Sequence, residues 1–235
     1  MRLVLGLAIA GLCAMPASAQ PGARVPDPRA VRLRAALETI AHDASGRVGI
    51  AVAPLDDSGA VIVGDVHHPM QSVYKLPIAM AVLEQVDQGR LRLDQQVDVP
   101  PSMFVTPGQY SPIRDKWPNG TRLPLREVLR YNTSESDGTA CDVLLALIGG
   151  PSAATQYLRR IGVREMVAAT TERVIGEDHR AQYRSWSTPA GGLTLLRVVH
   201  EGRVLSDTSR ALLRRFLIET TTGPRRIRGD LPPGT

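Results

Sequence analysis

Ser72-Val73-Tyr74-Lys75 runs directly into Leu76-Pro77-Ile78-Ala79-Met80-Ala81-Val82-Leu83 and stops at Gln88-Gly89. The apolar run reads as a buried helix whose first residues carry chemistry. Residues three apart lie on one face of a helix, so the Ser72 hydroxyl and the Lys75 amine meet. A serine is a weak nucleophile until a neighbouring base takes its proton. A lysine serves as that base only when neutral, and a free one holds its proton to about pH 10.4. Burial and nearby cations lower that value. Pro77 removes one backbone bond early in the helix, where the loss costs least. The serine then lies at the positive end of the helix dipole, which favours developing negative charge.

Composition sharpens the reading. The chain carries 28 lysines and arginines, and only Lys75 and Lys116 are lysines. With serines and lysines placed at random, a Ser-x-x-Lys arises only about 0.1 times per chain of this size. Arginine cannot give up its proton, so lysine stands where a base is required.

The 235 residues suffice for one large or two small domains. With 43% hydrophobic and 22% charged residues the chain is globular rather than disordered. Arg2, the apolar run 3–14 and Ala17-Ser18-Ala19 read as an export leader cleaved between Ala19 and Gln20. The run is too short for a membrane span, so no anchor is expected, and the product is periplasmic or secreted. Cys141 is then the one mature cysteine, a core residue in an apolar helix with no disulfide partner. The net charge is +5 and the densest basic run is Arg225-Arg226-Ile227-Arg228. It reads as solvated surface. No nucleic-acid motif accompanies it, and a mild positive field suits a small anionic substrate. His67-His68 has no partner at ligand spacing, so neither a metal nor a cofactor is expected.

Around the central helix, Asp27-Pro28 opens a helix reaching His42, with Val31, Leu33, Leu37 and Ile40 at near-helical spacing. Strands are expected at Arg47–Pro54 and Ala60–Val66, joined as a hairpin by the turn Asp56-Asp57-Ser58-Gly59. Residues 91–121 read as irregular. Helices follow at Leu125–Tyr131, Thr139–Ile148, Ser152–Ile161, Thr188–Leu205 and Asp207–Thr222. Between them, 132–138 reads as a capping loop and 170–186 as a long loop without apolar period, a length that is usually functional.

Downstream of Ser72-x-x-Lys75 come Tyr110-Ser111-Pro112, Ser136-Asp137-Gly138 and Glu172 in the long loop. In this order and spacing the chain resembles the class A serine β-lactamases, from about Asp27 to its end. The resemblance implies an α+β fold of two domains: an antiparallel sheet flanked by helices, and an all-helical domain. The parts are the leader 1–19, helix and hairpin in 20–71, a mostly helical region 72–205, and a helix returning to the sheet domain in 206–235. It implies a monomeric hydrolase that opens the β-lactam ring of penicillins and cephalosporins and confers antibiotic resistance. Ser72 resembles the nucleophile and Lys75 the amine that helps take its proton. Ser136 resembles the hydroxyl returning a proton to the ring nitrogen, and Glu172 the carboxylate that activates water. Tyr110 resembles an aromatic wall of the substrate site.

Three positions depart from the pattern. Gly138 and Gly176 stand at substrate-site positions where the family usually or often has asparagine, and Thr170 where arginine is common. With Tyr183 and Trp186 late in the loop, the wording is similar to a smaller extended-spectrum branch. No Lys-Thr-Gly occurs, and Leu231-Pro232-Pro233-Gly234-Thr235 resembles the turn before the strand that carries it. The expectation is a sheet lacking its C-terminal strands and a chain of low activity. A penicillin-interacting D-alanyl-D-alanine peptidase and a penicillin sensor share the acylation chemistry and stay open as alternatives, as does an inactive fragment. Taken singly, Ser136 alternatively caps the following helix, Glu172 is one of several solvated acids, and Tyr110 is a packing residue.

Overall fold

The computed structural model describes residues 27–55 and 59–232. The expected leader over 1–19, the hairpin turn at 56–58 and the last residues 233–235 lie outside them. No helix among the described residues is long and apolar enough to cross a membrane.

The first helix, α1 (Pro28–Asp43), starts as read: Asp27 caps it and its side chain accepts from the Arg29 N–H. The hairpin pairs β1 (Ile50–Val52) with β2 (Val61–Val63) antiparallel, Ala51 opposite Ile62. Both strands are shorter than the expected 47–54 and 60–66. α1 packs on β2 and buries none of its residues; Val31 and Ile40 stay more than half exposed.

The central stretch begins with a 3₁₀ turn, Gln71–Tyr74, and becomes α2 (Lys75–Asp87) one residue later. Tyr74, Ile78, Ala79, Met80, Val82 and Leu83 are each fully buried. A helix apolar on every side belongs in a core, and α2 is wrapped accordingly by other helices. It ends in a left-handed Gly89, with Arg90 N–H reaching back to the Gln85 carbonyl.

The irregular reading of 91–121 is corrected. β4 (Gln96–Val99) and β5 (Thr121–Pro124) form an antiparallel pair, separated by a 3₁₀ turn at Pro101–Met103 and the short α3 (Pro112–Lys116). Strands of four residues give too little period to read. α4 (Leu125–Ser134) runs a turn beyond the expected Tyr131. α5 (Gly138–Ile148) is capped by Asp137, whose carboxylate accepts from Ala140 N–H, Ile113 N–H and the Ser111 hydroxyl. That cap displaces the reading of Ser136 as the helix cap. α6 (Pro151–Arg160) begins at Pro151 rather than at a Ser152 cap. α2, α4, α5, α6 and α9 (Asp207–Ile218) pack together around one apolar core, with Cys141 buried in it.

The loop 170–186 is largely ordered into α7 (Glu172–Glu177) and a 3₁₀ segment, His179–Arg184. Three two-residue strands frame it: β3 (His68–Pro69), β6 (Met166–Val167) and β7 (Trp186–Ser187), in the order β3-β7-β6, antiparallel. α8 (Pro189–Glu201) stops at a left-handed Gly202, short of the expected Leu205, and packs on β1 and β2. α9 is capped by Ser206, one residue before the expected Asp207.

Candidate active site

The β3 strand delivers the chain to the nucleophile candidate. His68 and Pro69 pair with Ser187 and Trp186, Met70 N–H donates to the Ser185 carbonyl, and His67 stacks on Trp186 at 3.6 Å between ring centroids. Gln71 donates its side-chain amide to Gln182. Through these ties the residues before Ser72 are fastened to the far end of the segment that begins with Glu172. Gln71 itself sits at φ 49°, a left-handed conformation disfavoured for any residue with a side chain.

Ser72 then stands exposed at the head of the buried helix. Its Oγ lies 3.1 Å from Lys75 Nζ and accepts a 2.8 Å hydrogen bond from Ser136 Oγ. Lys75 is 4% exposed and pairs with the Glu172 carboxylate. The Asn132 side chain donates to the Lys75 carbonyl at 3.1 Å, fixing the start of α2 to α4. Ser136 adopts φ 58°. Gln71 and Ser136 are the non-glycine residues with positive φ among those described, and both border Ser72. Strain of this kind, of order 1–3 kcal/mol per residue, persists where the surroundings over-determine it.

Glu172 is placed by α5. The Asp142 carboxylate accepts from the Glu172 N–H at 2.7 Å and the Arg173 N–H at 2.9 Å. Burial raises the Asp142 carboxyl from 3.8 to about 6, against the pull of those two N–H groups. Thr171 caps α7 through Val174 N–H, and Arg173 reaches the Ser102 carbonyl at 2.6 Å.

Beside Ser72 lies a cavity of about 320 Å³. Ser72, Lys75, Ser136 and Glu172 meet there, with Tyr110 and Gly176 on its wall. Tyr110 is 58% exposed, which fits a wall better than packing. Gly138 is buried as the first residue of α5, against Val105 and the Tyr110 carbonyl, and does not line the cavity. Sequence reasoning missed Gln109, His179, Gln182, Thr222 and Arg226 on the lining. Arg226 is exposed, as the surface reading of the basic run expects, and also borders the cavity. Thr221 N–H donates to the Ser134 carbonyl and Arg226 N–H to that of Gly223, so the segment after α9 turns back beside Ser136. Among the described residues no cluster of three or more metal-ligating side chains occurs.

Comparison with known proteins identifies the family. The β-lactamase enzyme family matches residues 32–235. The extended-spectrum β-lactamase PER-1 of Pseudomonas aeruginosa is 38% identical over 205 residues, covering 86% of this chain and 66% of that protein. β-Lactamase VEB-1, also of Pseudomonas aeruginosa, is 35% identical over 202 residues, covering 85% and 67%. The chain thus spans about two thirds of these relatives' length. A β-lactamase crystal structure from Chitinophaga pinensis superposes with a TM-score of 0.82 at 42% identity, covering 86% of this chain and 75% of that one. The TLA-3 extended-spectrum β-lactamase gives 0.83 at 34%, covering 88% and 75%. On the family match, the sequence identity and the shared fold, the chain belongs to the β-lactamase enzyme family, among its class A serine members.

Proposed function

We propose that the protein hydrolyses the β-lactam ring of penicillins and cephalosporins through an acyl-enzyme on Ser72, and so confers resistance to them. The observation that carries this reading is the contact set around one oxygen: Ser72 Oγ between Lys75 Nζ and Ser136 Oγ, with Glu172 against Lys75. Ser72 Oγ attacks the ring carbonyl carbon while its proton leaves toward the Lys75–Glu172 pair. The ring C–N bond breaks, and Ser136 passes a proton to the departing nitrogen and recovers one from the Lys75–Glu172 pair. Glu172 then takes a proton from water, whose oxygen attacks the acyl ester; the ester C–O bond breaks and that proton returns to Ser72 Oγ. Splitting one difficult hydrolysis into two steps is the gain of covalent catalysis. Arg226, with Thr222 beside it on the lining, is the guanidinium placed to meet the substrate carboxylate.

The peptidase and sensor readings share the first step and lack the second. The placement of Glu172 on the cavity, against Lys75, favours turnover over both. PER-1 and TLA-3 are extended-spectrum enzymes by name, and we extend that substrate range to this chain. The leader pattern in residues 1–19 supports export. The test is covalent labelling of purified protein by a fluorescent penicillin. The parent is expected to carry the label through a denaturing gel and Ser72→Ala to carry none. A labelled alanine variant would refute Ser72 as the nucleophile.

A further inference from the structure

Gln109 lies one residue before Tyr110, on a turn closed by its own N–H donating to the Thr106 carbonyl at 2.9 Å. Arg114 of α3 braces that turn, donating to the Thr106 carbonyl at 2.7 Å. The Gln109 side chain is occupied at both ends. Its Oε1 accepts from Thr106 N–H at 3.2 Å and from Thr106 Oγ1 at 3.0 Å. Its Nε2 donates to the backbone carbonyl of Glu172 at 2.5 Å. Reversing the amide would set two donors and two acceptors against each other, so its partners fix its orientation.

Gly176 completes the arrangement. It lies four residues after Glu172, on the same face of α7. A Cβ there would overlap Gln109 Oε1 and Cδ and Thr106 Oγ1. Its backbone is not in the left-handed region, so space rather than conformation calls for glycine. The carboxamide of Gln109 fills the volume that a side chain at 176, asparagine in the resembled pattern, would take.

We propose that Gln109 is a positioning residue for Glu172, reaching across the cavity wall into the space that Gly176 leaves open. The backbone of Glu172 is then held at both polar atoms. Asp142 takes the N–H from the α5 side and Gln109 supplies a donor to the carbonyl from the Tyr110 side. With the main chain fixed, the carboxylate keeps its aim at Lys75 and at the water it activates. The inference rests on the reading of Glu172 as the base of the second step, and it concerns that step selectively, because Ser72 and Ser136 make no contact with Gln109 in the hydrogen-bond network.

The test compares Gln109→Met, Gly176→Ala and Glu172→Gln with the parent in single-turnover reactions with benzylpenicillin. Rates are normalised to the fraction of molecules that label at Ser72, so unfolded protein drops out. Methionine keeps the length of glutamine and loses its hydrogen bonds; alanine at 176 pushes the amide away. A displacement of about 1 Å costs on the order of 100-fold, so both variants should deacylate about 10–100-fold more slowly while acylating within about threefold of the parent. The acyl-enzyme mass should accumulate in each. An equal fall in both steps would mark a merely structural role and overturn the proposal. Parental deacylation in Gln109→Met or Gly176→Ala, with Glu172→Gln blocked, would overturn it and leave the base assignment standing. Parental deacylation in Glu172→Gln would overturn both.

Discussion

Lys75 shows how much a single side chain is asked to do. It touches Ser72 Oγ on one side and the Glu172 carboxylate on the other, nearly shut off from solvent. An arginine there would keep the positive charge toward Glu172 and lose any neutral form. General-base help is worth about 10²–10⁴-fold, so Lys75→Arg should lower the acylation rate by that order. Stopped-flow acylation with a chromogenic cephalosporin measures it. Acylation at the parental rate would reduce Lys75 to a fixed charge. The serine and lysine were legible in sequence because three residues and one helix face hold them together. Gln109 and Asp142 were not, since their partners lie 63 and 30 residues away and are backbone groups, which leave no trace in side-chain identity. Arg226 read as one of many surface arginines, and only the turn beside Ser136 brings it to the cavity.

At the scale of elements, α7 is the piece most dependent on its neighbours. Six residues are too few to be stable alone. Its first turn hangs from Asp142 on α5, and the 3₁₀ segment and β7 that follow tie back to the residues before Ser72. The same shortness hid it in the sequence, along with β3, β6 and β7, whereas α1, α2 and α5 declared themselves by length, caps and apolar pattern. The Asp142 anchor gives this element a pH signature. Its folded-state value near 6 lies above the ordinary 3.8, so the protonated carboxyl favours the folded state. The contribution is fully present below about pH 4 and lost as pH rises through about 6. A shift of that size corresponds to roughly 3 kcal/mol. Asp142→Asn cannot titrate, so its unfolding free energy should change less than the parent's between pH 4 and 7. Urea unfolding across that range checks it; parallel curves would contradict the assignment.

Across the whole molecule, the site draws four residues from three separate places in the chain. Ser72 and Lys75 head the buried helix, Ser136 sits in the left-handed turn between α4 and α5, and Glu172 opens α7. Packing of α2 with α4 and α5, and of α5 with α7, brings these places together. In the proposed mechanism that assembly separates turnover from mere acylation, because the second step needs Glu172 in register with Ser72. The direct test is intact mass spectrometry of Glu172→Gln after brief exposure to benzylpenicillin. Glutamine keeps the shape of the side chain and removes the base. The variant is predicted to gain the mass of one opened penicillin and to hold it, with deacylation slowed by about 10²–10⁴-fold. A variant that returns to its free mass as fast as the parent would contradict the account.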